Sequence, residues 1–364
     1  MTGRAPMFEP IAFADIAGWA DDDHAGALRA LVRGAPSLDV TSGAGAPGIS
    51  HDLRRVGLAA HDLGPEPGSA AARHVFETHF TPHRVVHQGE PGLVTGYFEP
   101  EVDGSLTPSD AFPAPLYRRP ADLINLVEES ARGAAGDRLT HARTTPAGPV
   151  PFATRAEIDA GCLAPQGLEL AYLADAVEAF MMQVQGSGLI RLADGTSLRV
   201  GYDGKNGHPY TSIGGSLIAD GSMAAADMSL AGLVAWLRAD PARARSIMQR
   251  NASFVFFRAL AGADGEGPLG VHGIPLTPGR SLAVDTRFHA IGTPVFVTSP
   301  ALPDPERGGP FRRLMIAQDV GSAIRGPERG DIFFGTGAGA GALAGVTKHA
   351  CRFVVLLPGG AAPP

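Results

Sequence analysis

Lysine is nearly missing from this sequence. Of its 30 basic side chains only Lys205 and Lys348 are lysines, and 37 acidic residues bring the net charge to −7. No basic run occurs, which excludes the clustered Lys and Arg that displace counterions from nucleic-acid phosphates. Cysteine is equally scarce. Cys162 and Cys351 cannot form a four-ligand zinc site or a disulfide framework by themselves, and one mutual pairing is the most they allow. No apolar run approaches the roughly 20 residues of a membrane span. Residues 1–20 lack a basic segment followed by an apolar one, so they are no secretory signal. On this reading the protein is cytoplasmic, or an export segment is missing from the chain. The 12 histidines include no HExxH and no Cys/His zinc spacing. His74, His79, His83 and His87 read as ordinary surface histidines, and no metal is expected.

What is present is a large apolar fraction. Hydrophobic residues make up 44% and charged ones 18%, enough for a sizeable core and too apolar for wholesale disorder. The 364 residues allow one large domain or two ordinary ones. Glycine (48) and proline (31) are about a fifth of the chain, which favours turns and short strands over a helical bundle.

The pattern predicts helices over residues 15–32 and 70–80, with a Gly/Ala/Ser-rich loop at 42–50 between them. Residues 92–98 read as a strand closed by Glu99-Pro100, and a short strand is possible around Leu116-Tyr117. Thr154 and Glu157 form a capping-box start for a short helix ending at Gly161. Residues 168–182 have apolar side chains at helical spacing. A strand run then opens at Gln183, and Asp194-Gly195 marks a hairpin turn between 189–192 and 197–201. Helices are expected over 230–238 and 241–250. Beyond residue 251 short strands dominate, at 254–257, 282–285, 294–297, 313–318, 331–334 and 352–357. With few helices between them, they suggest a small β-barrel rather than a doubly wound parallel sheet.

The glycines from Gly335 to Gly341 follow a strand, but too little chain remains for a βαβ dinucleotide unit; a turn before a short helix is the better reading. Ser187 sits in Gly186-Ser187-Gly188 with no partner His or Asp marked nearby, so it reads as a substrate ligand or a turn residue. The carboxylates carry more. Asp285 ends Leu282-Ala283-Val284, Asp319 ends Leu314-Met315-Ile316-Ala317-Gln318, and Asp331 opens Ile332-Phe333-Phe334. A carboxylate abutting an apolar strand is partly desolvated, which moves its pKa toward general-acid use. A capping role suits any one of them; three together, two flanking residues 321–326, ask for another explanation.

In these frames the three aspartates resemble the three-aspartate (3D) domain. Upstream, Thr95-Gly96-Tyr97-Phe98-Glu99-Pro100, Val184-Gln185-Gly186-Ser187-Gly188, residues 251–258 and 276–281 resemble the signature segments of the membrane-bound lytic murein transglycosylase A family. The resemblance covers roughly residues 90–358. It implies a mainly β fold with α additions: a double-psi β-barrel domain (1–99 plus 236–364) with an inserted second β-rich domain (100–235) and a groove between them that holds a peptidoglycan strand. The implied activity is that of a lytic exotransglycosylase, a carbon–oxygen lyase. It breaks the β-1,4 bond between N-acetylmuramic acid and N-acetylglucosamine and leaves a 1,6-anhydro ring, with no cofactor and one Asp as acid and base.

Carried over, that role falls to Asp331 with Asp319 beside it, and Asp285 becomes an orienting or structural member. Thr95, Tyr97, Phe98, Gln185, Ser187, Gly188, Lys205 and Thr211 would line the groove. Tyr97 and Phe98 would offer flat faces to sugar rings, although core packing is an equal reading for Phe98. Gln185 and Thr211 would offer hydrogen bonds to N-acetyl groups. Two departures stand out: Ala252 replaces a usual proline, and no lipobox cysteine precedes the domain. The substrate implies a periplasmic or outer-membrane location, with a natural chain that is longer at its N-terminus or starts elsewhere; a monomer is expected, and the acidic charge balance argues against nucleic acid. A two-carboxylate glycoside hydrolase and a non-catalytic peptidoglycan-binding module are the competing readings.

Overall fold

A computed structural model describes residues 7–38, 47–88, 91–127, 139–260, 267–321 and 323–359. Residues 42–46 of the expected Gly/Ala/Ser-rich loop, and Ser322 between the last two aspartates, lie outside the described residues.

The chain begins with β1 (Met7–Pro10), α1 (His24–Gly34), α2 (Pro47–Ala60), α3 (Ser69–His79), β2 (Phe80–Val86) and β3 (Gly92–Glu99). α1 starts later than the apolar pattern predicts because the Asp23 side chain accepts the Gly26 N–H and caps it there. Trp19, Leu28, Leu31 and Phe76 are buried in the main core together with Phe296, Phe311 and Phe353. This helical layer therefore covers the C-terminal strands.

A second group follows: β4 (Glu101–Ser105), β5 (Ala114–Tyr117), β6 (Leu123–Asn125), β7 (His141–Arg143), α4 (Arg155–Asp159), β8 (Glu169–Leu173), α5 (Ala176–Gln185), β9 (Ser187–Arg191), β10 (Ser197–Lys205), α6 (Ile213–Ala219), α7 (Leu230–Arg238), α8 (Pro241–Met248) and β11 (Val255–Ala259). Six of these strands form one sheet in the order β11-β10-β9-β4-β8-β5. The helix expected over 168–182 divides in two. Residues 169–173 are a strand because β5 and β4 supply their hydrogen-bond partners, and Asp175 caps the helix that starts after them. α5 also runs on to Gln185, past the point where a strand was expected, and stops at Gly186 in a left-handed conformation. The Asp194-Gly195 hairpin forms as predicted, with Gly195 at φ +84°. So does the Thr154–Glu157 capping box. The expected domain boundary at 235 falls inside α7, and this sheet takes its edge strand β11 from beyond it.

The chain closes with β12 (Ser281–Val284), β13 (Pro294–Pro303), β14 (Pro310–Asp319), β15 (Arg329–Thr336), α9 (Gly337–Val346) and β16 (Lys348–Pro358). Hydrogen-bonded pairing runs β3–β16–β13–β14–β12–β15 and back to β3, a closed ring of six strands, with β2 and β1 added alongside β16. The β12–β14 and β15–β3 pairs are parallel and the others antiparallel. The glycine-rich 335–341 segment turns from β15 into α9, as expected. With sixteen strands and nine α-helices among the described residues, the architecture is mixed α/β rather than simply mainly β.

Two smaller expectations change. His83 is buried and His87 bonds Glu328, so the four histidines are not uniformly superficial: β2 is covered by β1 on one side and β16 on the other. Cys162 is exposed, Cys351 is buried, and both are free thiols.

Candidate active site

Asp319 and Asp331 meet across β12. Ala283 is the register partner of Asp319 on one side and of Asp331 on the other. At about 4.8 Å per strand, their backbones stand about 10 Å apart. A bulge sets the first of them: Leu282 pairs with Ala317 but Ala283 with Asp319, which leaves Gln318 as the extra residue. Gln318 is held in the core, accepting from Ser281 Oγ (2.6 Å) and donating to the Ala30 carbonyl of α1 (2.8 Å). The bulge thus ends β14 with its carboxylate re-aimed and anchored from behind.

Asp319 accepts from the Tyr97 hydroxyl (2.9 Å) and the Val320 N–H (2.9 Å). Burial pushes its pKa up to about 6, and the charge of Asp331 adds to the rise. Asp331 accepts from Thr95 Oγ (2.5 Å), its register partner on β3. Burial pushes Asp331 up to about 6 as well, against the opposing pull of the Thr95 hydroxyl and of Arg329. Both carboxyls therefore hold their proton closer to neutrality than an ordinary aspartate does, the condition for giving a proton to a leaving oxygen. Tyr97 stacks at a tilt on Phe333 (centroids 5.3 Å apart), and burial followed by the Asp319 charge lifts its pKa well above the usual phenol range.

Asp285 is different. It is 1% exposed, and its carboxylate takes Arg287 Nε (3.0 and 3.1 Å) and Nη2 (2.5 Å), the Arg287 N–H and the Gly326 N–H (2.8 Å). It ties the end of β12 to the segment after Asp319, and its lone pairs are committed to that task.

The other predicted residues have partners of their own or places on other strands. Phe98 donates its N–H to Gln185 Oε1 (3.1 Å), so that oxygen serves the backbone of β3. The Phe98 ring lies on Gly341 of α9, where an added Cβ would stand 2.8 Å from it; this contact supports the packing reading. Ser187 and Gly188 are buried at the start of β9, and a Cβ on Gly188 would collide with Met182. Lys205 ends β10, partly buried, and exposed Thr211 gives its N–H to Asn251 Oδ1 (3.1 Å). Thr95 and Tyr97 are thus the two predicted groove residues whose side chains touch the aspartate pair.

The sequence reading missed Arg329 and Glu99. Arg329 Nη2 donates to Thr95 Oγ (2.8 Å). It stands two residues before Asp331 on one strand, hence on one face, a signal that period-2 reading could have used. Glu99, fully buried, joins Arg199 of the second sheet (3.0 Å) to Thr336 at the start of α9 (2.7 Å). No group of residues suited to a metal ion occurs among the described residues.

A strand ring carrying Asp285, Asp319 and Asp331, with a second sheet entering the sequence between β3 and β12, defines a three-aspartate-domain protein with an insertion. The chain matches the MltA specific insert domain over residues 93–258 and the 3D domain over residues 280–357. Among curated relatives, the membrane-bound lytic murein transglycosylase A of Vibrio cholerae is 35% identical over 71% of this chain and 63% of its own length. That of Escherichia coli K12 is 35% identical over 72% and 64%. The match thus spans slightly under two thirds of these relatives. Of the solved structures, a membrane-bound lytic murein transglycosylase from Agrobacterium tumefaciens is 34% identical, with a TM-score of 0.84 over 96% of this chain and 97% of that one. The E. coli protein with bound chitohexaose is 27% identical, with a TM-score of 0.65 over 100% and 94%. The chain belongs to the membrane-bound lytic murein transglycosylase A family.

Proposed function

We propose that this protein is a peptidoglycan lytic transglycosylase with Asp331 as its single acid and base. The observation that carries the reading is the pair of partly buried carboxyls flanking β12, each bonded by a β3 hydroxyl and each pushed up to about 6 by desolvation. The neutral Asp331 carboxyl protonates the β-1,4 glycosidic oxygen as the C1–O bond of N-acetylmuramic acid breaks. The sugar's own C6 hydroxyl then closes on C1 and returns its proton to the Asp331 carboxylate. The product is a 1,6-anhydro ring, no water is consumed, and the acid is regenerated. Because the nucleophile is intramolecular, a second catalytic carboxylate is unnecessary, unlike in most glycosidases. Asp319, bound by Tyr97, supports the charge balance of Asp331, and Asp285 holds the frame.

The six-strand ring is proposed as the double-psi barrel and the second sheet with its helices, residues 100–259, as the inserted lobe. The glycan would lie between them, with Tyr97, Phe98, Gln185, Ser187, Gly188, Lys205 and Thr211 in segments bordering it. The substrate puts the site of action outside the cytoplasmic membrane; no helix among the described residues is long and apolar enough to cross one. A two-carboxylate hydrolase is the second reading, favoured by the similar pKa rise of both aspartates. Digestion of purified sacculi separates the two. The proposal expects anhydro-muropeptides, whereas products heavier by one water establish hydrolysis.

A further inference from the structure

Resting on the assignment of Asp331 as the acid, we propose that Arg329 is a positioning residue that acts through Thr95 to fix which carboxyl oxygen of Asp331 carries the transferable proton. The argument is one of donors and acceptors. A guanidinium can only donate. Arg329 Nη2 lies 2.8 Å from Thr95 Oγ, so that oxygen accepts there. The hydroxyl owns a single proton, and its other partner, 2.5 Å away, is Asp331 Oδ1. That proton therefore points to Oδ1. Oδ1 is held as an acceptor in both protonation states, and the acid's proton sits on Oδ2. Arg329 is itself held, since its Nη1 donates to the Gly330 carbonyl of the same strand.

The other groups around this chain do not supply the same polarity. Asp319 on β14 is taken by Tyr97 and the Val320 N–H. Lys348 of β16 is the register partner of Thr95 but is exposed. Burial pushes the Cys351 thiol up to about 12, so it stays neutral. Glu328 is engaged by His87 and Arg352, and Asp285 by Arg287. Arg329 is thus the cation whose removal bears on Asp331 directly, and its charge opposes the upward push of burial.

The test uses the full chain labelled with [13Cγ]aspartate, with the Asp331 signal assigned by its loss in Asp331→Asn. Wild-type Asp331 is expected to titrate at about 6. In Arg329→Met the midpoint rises by about one unit or more, and the alkaline limb of sacculus digestion moves with it. The maximal rate falls about tenfold while KM changes less than about twofold. Thr95→Val reproduces both effects and Thr95→Ser reverses them, because serine keeps the hydroxyl; Arg329→Lys keeps the charge and holds the midpoint. A midpoint in Arg329→Met or Thr95→Val within about 0.3 unit of wild type overturns the proposal. If the midpoints move as described while Asp331→Asn still digests sacculi, the relay stands and the functional reading fails instead.

Discussion

The half of the chain that forms the strand ring encloses its carboxylates in two ways. Asp304 is held by two arginines and Asp285 by one: Arg313 reaches Asp304 at 2.5 and 2.9 Å and Arg307 at 3.1 Å, and Arg287 reaches Asp285 at 2.5 Å. Against the cost of burial, the Arg313 hydrogen bonds and two backbone N–H groups hold its carboxyl well below the usual range. Asp319 and Asp331 are met instead by a phenol, a threonine hydroxyl and backbone amides, and their pKa values rise. Desolvation pushes upward on Asp304, Asp319 and Asp331 alike, and the partner decides the outcome. A cation in contact fixes the ionised form and makes a structural strut. A neutral donor leaves the proton available.

The comparison breaks most visibly at Asp304. Asp304→Ala leaves Arg313, 2% exposed, facing only Glu306 at the surface. The expected loss is about 3–5 kcal/mol in urea unfolding at pH 7, from an uncompensated buried cation. The pH dependence has a fixed sign, because the folded pKa is depressed. The wild-type advantage is present above the ordinary aspartate range and fades as pH falls toward the folded value. Asp331→Asn goes the other way. Its folded pKa of about 6 lies above the unfolded one, so wild type has the group's stability only at low pH and loses it as pH rises through 6. The amide, which still accepts from Thr95, should make the protein more stable than wild type by about 2–3 kcal/mol at pH 8 and no different at pH 4. A destabilised Asp331→Asn at pH 8 would contradict the desolvation account. The smallest effect belongs to an exposed pair. Breaking Arg29–Glu66 (3.2 Å) with Arg29→Met should change stability by less than about 1 kcal/mol, and less again in high salt.

Much of this was legible in the sequence where local chemistry decides it. Short apolar strands bordered by Asp marked members of the ring, Asp194-Gly195 marked the hairpin, and Thr154 with Glu157 the cap. What failed depends on distant partners. Glu-Leu-Ala-Tyr-Leu at 169–173 suits a helix or a strand alike, and β5 and β4 made it a strand. The Gln318 bulge that aims Asp319 follows from pairing with β12 and from an α1 carbonyl some 290 residues away, as Gln318 to Ala30 spans 288 positions. For the site, motif order singled out the three aspartates. The different fate of Asp285 came from Arg287, two residues on, whose guanidinium returns to it. The role of Glu99 could not be read, since its partners Arg199 and Thr336 come from β10 and the start of α9.

The most direct measurement compares Asp331→Asn with Asp319→Asn in the release of anhydro-muropeptides from sacculi, with thermal melts to verify folding. A folded Asp331→Asn should lose about 10²–10⁴-fold or more in rate, the contribution of general acid catalysis, while Asp319→Asn, whose carboxyl only supports Asp331, loses less. Near wild-type release by Asp331→Asn beside a folded, inactive Asp319→Asn would reverse the assignment, and activity in both would contradict the single-aspartate mechanism.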